Sequence, residues 1–218
     1  MKRLRILVAD DHDLIRRGIK TLLESHSDWE VCGEAKTGRE AVTKAEELKP
    51  DILILDISMP DLNGVDAARR IRKSSTNTEI LILSVHYSDQ LIREIVDAGV
   101  RGYIVKSDSD RDLVIAVQTL ARHKPFFGPN ATEVILGSFN LGEPVKEVPE
   151  LVSDRITSRE REIVQLLAEG KSSKEVASSL GISVKTVETH RANVMRKLDL
   201  HSVSELVRYA VRNQIIDA

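Results

Sequence analysis

Over residues 1–125, five short aliphatic runs alternate with five amphipathic stretches, and this alternation restricts the fold more than any other feature of the 218-residue chain. The aliphatic runs occupy 4–9, 31–35, 52–55, 80–83 and 102–105, and helical periodicity marks 13–25, 38–48, 64–73, 88–98 and 110–122. In the first helical stretch Leu14, Ile15, Gly18, Ile19, Leu22 and Leu23 make one stripe at helical spacing. Strands that alternate with helices need crossover connections, which make a mostly parallel sheet covered on both faces. The expectation is therefore an α/β, doubly wound, five-stranded parallel sheet. Aromatic residues are only 3% of the chain, so aliphatic side chains must fill its core.

Doubly wound sheets carry their chemistry beyond the carboxyl ends of their strands. Those ends are where this chain places polar groups: Asp10 and Asp11 after the first strand, Asp56 after the third, Ser84 after the fourth and Lys106 after the fifth. Taken singly, each has an ordinary explanation, such as a helix cap for Asp10 or Asp11 or a solvated charge for Lys106. Together, on successive strand ends, they predict one polar cluster. Clustered carboxylates repel one another and hold a proton unless a cation sits among them. A few carboxylates with water and a phosphate make the oxygen ligand set that Mg²⁺ prefers. Asp56 could then act as a carboxylate nucleophile toward a phosphoryl group, with Lys106 neutralising the transferred oxygens.

The rest of the chain changes character. Residues 126–154 read as a connector with net charge -4, in which Asn130 to Glu133 resemble a capping box opening a short helix to about Gly137. Residues 155–218 carry net charge +3 and are helical throughout. Thr157, Ser172 or Ser173, and Ser183 are expected helix caps, and Gly170 and Gly181 expected stops. In the third helix Val187, His190, Val194 and Leu198 form a core stripe, opposite Lys185, Glu188, Thr189, Ala192 and Arg196. Two short helices joined through a tight glycine turn, the second exposing a polar stripe, make a helix-turn-helix. Thr189 is expected to touch a base, and Lys185, Arg191, Arg196 and Lys197 to neutralise phosphates. A fourth helix near 202–212 presents Val203, Leu206, Val207, Ala210 and Val211, enough for both core and partner contacts.

The segments ILVADDHDLIRRG (6–18), PDILILDISMPDLNG (50–64), ILILSVH (80–86) and GYIVKS (102–107) resemble the receiver domain of two-component response regulators. The run ITSREREIVQLLAEGKSSKEVASSLGISVKTVETHRANVMRKL (156–198) resembles the LuxR-type helix-turn-helix. Joined, the two halves are similar to the NarL/FixJ class. The resemblance implies a flavodoxin-like receiver at 1–125, a linker at 126–154 and a four-helix DNA-binding domain at 155–218. It implies that Asp56 accepts a phosphoryl group from a sensor histidine kinase, and that Asp10, Asp11, Asp56 and the backbone carbonyl of Ser58 bind Mg²⁺. It implies that Ser84 and Lys106 contact the phosphoryl oxygens, and that Tyr103 is a switch aromatic that turns inward on phosphorylation. Ser58 and His86 stand where the family tunes phosphate lifetime. Many receivers carry proline after the lysine, whereas Ser107 follows here, so a trans peptide is expected. At the base-reading positions this chain has Glu188, Thr189 and Ala192 in place of the basic residues of some relatives. A homodimer on an operator, acting with RNA polymerase, completes the implied picture. No separate substrate is turned over; only self-phosphorylation and slow dephosphorylation are implied.

Other classes fit less well. The lone Cys32 rules out an intramolecular disulfide and reads as a small buried apolar residue. The aliphatic run at 6–9 is too short for a signal-peptide core and nothing approaches a membrane span, so a cytoplasmic protein is expected. A phosphatase with an aspartate nucleophile needs a second acid two residues on, where Ser58 stands. A sigma-factor-like regulator gated by the receiver would make RNA polymerase the chief partner, and copurification with the core polymerase would favour it.

Overall fold

The computed structural model describes residues 3–74, 77–85, 87–107, 110–140 and 156–216, in two compact units, Met1–Gly142 and Glu143–Ala218. In the first, β1 (Leu4–Ala9), α1 (Asp13–Glu24), β2 (Trp29–Ala35), α2 (Gly38–Leu48), β3 (Ile52–Asp56), α3 (Gly64–Ser74), β4 (Glu79–Ser84), α4 (Asp89–Asp97), β5 (Gly102–Val105) and α5 (Asp110–Leu120) follow the expected alternation. Two further elements close the unit, β6 (Phe126–Phe127) and α6 (Pro129–Asn140). The sheet order is β2-β1-β3-β4-β5-β6, with every neighbouring pair parallel. Alternate strand residues serve opposite faces, as a period of two requires. Leu7, Leu53, Leu55 and Ile82 pack with α2, α3 and α4, whereas Ile6, Ile52, Ile54 and Leu81 pack with α1 and α5.

Three expectations need correction. The 126–140 segment belongs to the first unit rather than to a connector. Phe126 packs into one core and Phe127 into the other, and Ala131 of α6 is buried in the same cluster as Leu91 and Ile95 of α4. Pro129 is the first residue of α6, so Asn130 lies inside the helix instead of capping it. Proline suits that place because its missing N–H would have no intrahelical partner there. In α1, Leu14 is 84% exposed and Ile15 and Gly18 also face water, whereas Arg16 is buried. Arg16 takes the core-facing place because its guanidinium finds acceptors there, as detailed below.

The second unit contains α7 (Ser158–Ala168), α8 (Ser173–Leu180), α9 (Val184–Lys197) and α10 (Val203–Arg212). Thr157 and Ser172 complete capping boxes with Glu160 and Glu175, and Ser183 accepts from the Thr186 N–H. Gly181 ends α8 at φ 63°, a conformation glycine adopts without steric cost. Ile163, Leu166, Val176 and Val187 make one small core, and Val164, Val194, Leu206 and Ala210 another. The connector residues 142–154 and His86 lie outside the described residues. Among those described, no helix is long and apolar enough to cross a membrane, and no peptide bond is cis.

Candidate functional site

Register brings the predicted groups to one edge of the sheet. Ala9 pairs with Leu55, Asp56 with Leu83 and Ser84 with Val105, so β1, β3, β4 and β5 end together. The chain then turns sharply under Asp56. A Cβ on Gly64 would lie 2.0 Å from the Asp56 carbonyl oxygen, so only glycine permits that return. Asp10 and Asp56 are almost fully buried, and Lys106 Nζ lies 2.9 Å from Asp10 Oδ2 and 2.8 Å from Asp56 Oδ2. These are close ion pairs by distance, yet neither Oδ2 receives a well-directed hydrogen bond, and Asp11 Oδ1 is in the same position. Asp10 and Asp56 thus keep carboxylate lone pairs open at the shared strand ends, beside Asp11, whose Oδ1 has His12 Nδ1 at 2.8 Å.

Burial pushes the Asp56 carboxyl up to about 6, against the pull of Lys106 and with help from the charges of Asp10 and Asp11. Burial alone would lower Lys106, but its contacts with Asp56 and Asp10 prevail and raise it. An acid held this high and a cation held this firmly mark a pocket short of positive charge. Ligand atoms of Asp10, Asp11, His12 and Asp56 all lie within 4.8 Å of one another. Three carboxylates at that spacing, with unfilled lone pairs, fit a divalent cation.

Ser84 is buried at the end of β4, and its carbonyl accepts from the Lys106 N–H at 2.7 Å. Ser58 is half-buried two residues beyond Asp56. Tyr103 is already inward, 2% exposed, in the cluster that contains Ala131 and Phe127. An outward starting position, which the inward turn assumed, is therefore absent here; α6 and β6 help to enclose the ring.

Two contributors escape a reading of the sequence. Arg16 donates to the Asp10 carbonyl at 2.8 Å and to Glu34 at 3.0 Å, and pairs with Asp13. It fixes the backbone from which Asp10 and Asp11 project. A basic residue inside an amphipathic pattern gives no sign of this. His12 sets Nδ1 2.8 Å from Asp11 Oδ1; its adjacency to the two acids was the available signal.

In the second unit, α9 buries Val187 and Val194 and half-buries His190 and Leu198. Lys185, Glu188, Thr189, Ala192 and Arg196 are exposed on its outer side, and Arg191 is half-buried. Thr189 Oγ1 donates to the Lys185 carbonyl at 2.9 Å. Lys197 departs from expectation: its Nζ lies 2.8 Å from both carboxylate oxygens of buried Glu160. Glu160 also accepts from the Thr157 N–H, so one carboxylate joins the start of α7 to the end of α9.

Comparison with known proteins agrees with both halves. The family model for the response regulator receiver domain matches residues 6–118, and that for bacterial regulatory proteins of the luxR family matches 154–210. Response regulator protein VraR of Staphylococcus aureus is 37% identical over 213 residues, covering 98% of this chain and 99% of the relative. The RcsB response regulator of Salmonella typhimurium superposes with a TM-score of 0.65 at 25% identity, covering 96% of this chain and 97% of the other. A LuxR-family two-component response regulator from Aurantimonas sp. SI85-9A1 gives a TM-score of 0.59 at 29% identity, over 63% of this chain and 99% of the other. With each half matched and a relative aligned end to end, this chain belongs to the NarL/FixJ class of two-component response regulators, a receiver joined to a LuxR-type helix-turn-helix in a regulator of transcription.

Proposed function

We propose that Asp56 is the phospho-acceptor, and that its phosphorylation by a sensor histidine kinase tightens binding of α9 to operator DNA. The observation that carries this reading is the buried meeting of Asp10, Asp56 and Lys106 at the shared strand ends. Asp10, Asp11, Asp56 and the Ser58 carbonyl are the proposed ligands of Mg²⁺, which supplies charge neutralisation for the transferred oxygens when bound. The Asp56 carboxylate forms the new P–O bond as the donor's P–N bond breaks, its electron pair returning to the imidazole nitrogen. Lys106 and the Ser84 hydroxyl then hold the phosphoryl oxygens. Tyr103, already inward, senses that change through its packing with α4 and α6 rather than by a swing from solvent. Lys185, Arg191 and Arg196 contact phosphates, and a phosphorylated homodimer presents two copies of α9 to paired half-sites, acting with RNA polymerase in the cytoplasm.

A shift of this kind biases a two-state equilibrium by about 1–3 kcal/mol, or roughly five- to 150-fold. The test combines mass spectrometry with binding. A small phosphodonor with Mg²⁺ should add one phosphoryl group, and neither the Asp56→Asn protein nor a metal-free sample should gain it. Operator affinity and sedimentation, each measured with and without donor, should show tighter binding and a larger species after phosphorylation. A phosphorylated Asp56→Asn protein would overturn the acceptor assignment, and unchanged affinity and mass would overturn the gating.

A further inference from the structure

What α9 can read depends on which side chains of its outer stripe have hydrogen-bonding capacity to spare. Thr189 has committed its hydroxyl hydrogen to the Lys185 carbonyl and can only accept, and Ala192 offers only a methyl group. Arg196, in the last turn, directs Nη2 toward Asn193 Oδ1 at 3.3 Å and keeps its other N–H donors for phosphates or base acceptors. Lys197 is turned to Glu160. Glu188 is different. It is exposed, and Lys185 and Arg191 stand three residues either side of it, at ion-pair spacing, yet among the described residues neither pairs with it. It is not a helix cap, since Ser183 fills that place, and the first turn of α9 contains no acid. The field of the helix N-terminus fades within that turn, so it gives little reason for an acid at the fifth helical position.

An ionised carboxylate can only accept hydrogen bonds. In the major groove guanine shows two acceptors, N7 and O6, and thymine shows O4, whereas cytosine shows the N4 amino donor. Adenine offers N6–H beside the acceptor N7, which opposes a second carboxylate oxygen. A carboxylate pressed against acceptors, close to phosphates, gives up its water and gains nothing in exchange. We propose that Glu188 is a specificity-determining residue that selects a cytosine amino group at one position in each half-site and rejects guanine there. Ala192, one turn further along, leaves room for a thymine methyl. The inference rests on reading α9 as the helix that enters the major groove. It gives Glu188 a role in discrimination rather than affinity, because its charge is repelled by every duplex alike.

The test is selection of duplexes from a random pool by full-length, phosphodonor-treated protein at one fixed salt concentration. Wild type, Glu188→Gln and Glu188→Ala are compared. Wild type should retain cytosine at one position per half-site, with roughly five- to 150-fold weaker binding when guanine replaces it. Glu188→Gln should move the preference at that position to adenine, since an amide pairs with both N6 and N7. Glu188→Ala should lose the preference while binding arbitrary duplexes as tightly as wild type or more so. If all three proteins bind and select the same bases, the inference is overturned and the DNA-binding reading stands. If wild type retains no duplex at all, the reading of α9 itself fails and the inference falls with it.

Discussion

The two halves of this chain keep their reactive groups in opposite surroundings. Asp10 and Asp56 are 0% and 1% exposed, whereas Lys185, Glu188, Thr189 and Ala192 face water. In the receiver, burial strengthens every charge–charge contact, so Asp10, Asp11, Asp56 and Lys106 act as one coupled system. No member can change without altering the others. On α9 the surrounding water screens each charge, and under the proposed function partners come from the target. A buried site stores its electrostatic demand in the protein, and an exposed one leaves it to be met on binding.

The largest effect that would break this comparison is expected at Asp56. Its folded-state value of about 6 exceeds the ordinary 3.8 because burial disfavours the charge. Between those values the folded chain retains a proton that the unfolded chain has released, so this group's contribution to stability falls as pH rises from about 4 to about 6 and stays low above that. Asp56→Asn removes the penalty. In metal-free protein it should raise stability by about 2–3 kcal/mol at pH 8 and by distinctly less at pH 5. Trp29, the single tryptophan, is buried in the receiver and reports its unfolding by fluorescence in denaturant. Equal gains at both pH values would show that the pocket holds no strained charge.

The contrast in surroundings also governs what a sequence reveals. The strand ends were legible because a parallel sheet aligns them whatever the details of packing, and five aliphatic runs located the strands. The acids and Lys106 therefore met where expected. Arg16 was hidden because periodicity treats every arginine as solvent-facing, although three acceptors around its guanidinium make burial favourable. β6 was hidden by its length, two residues that show no period. The caps of α7, α8 and α9 were local and legible. The pairing of Glu160 with Lys197 was not, because it joins residues 37 apart through tertiary packing alone.

That pairing gives the next effect in size. Lys197→Met leaves buried Glu160 without its ammonium and should destabilise the second domain by about 1–3 kcal/mol. Because the ammonium is already paired with Glu160, the slope of log affinity against log salt should stay at the wild-type value. Lys185→Ala should do the reverse, reducing the slope by about 1 with little loss of stability. Lys197→Arg, which keeps the charge, should recover most of the stability. A slope flattened by Lys197→Met would place that ammonium on DNA and mean that it leaves Glu160 when the duplex binds.

The smallest effect is expected at Thr189, and it sharpens the comparison most. A free hydroxyl at this position would be worth about 1–3 kcal/mol in base preference if it made a good contact. Here Oγ1 already donates to the Lys185 carbonyl, so reaching a base acceptor means first giving up a bond worth about 1 kcal/mol. Most of the gain from donating to a base acceptor is cancelled, while Oγ1 keeps lone pairs that can accept from an adenine or cytosine amino group. Thr189→Ala should therefore alter the preference for a base read as an acceptor, guanine or thymine, by less than about 0.5 kcal/mol, within the range of ordinary surface substitutions. Competition binding against duplexes that differ at single positions can resolve this, with Glu188→Gln as the large-effect reference. A Thr189→Ala change approaching the Glu188 effect would mean that the hydroxyl leaves the helix carbonyl when DNA arrives. The hydrogen-bonding pattern of α9 would then be rearranged by its target, whereas a negligible change means that the free protein already settles which side chains can read a base.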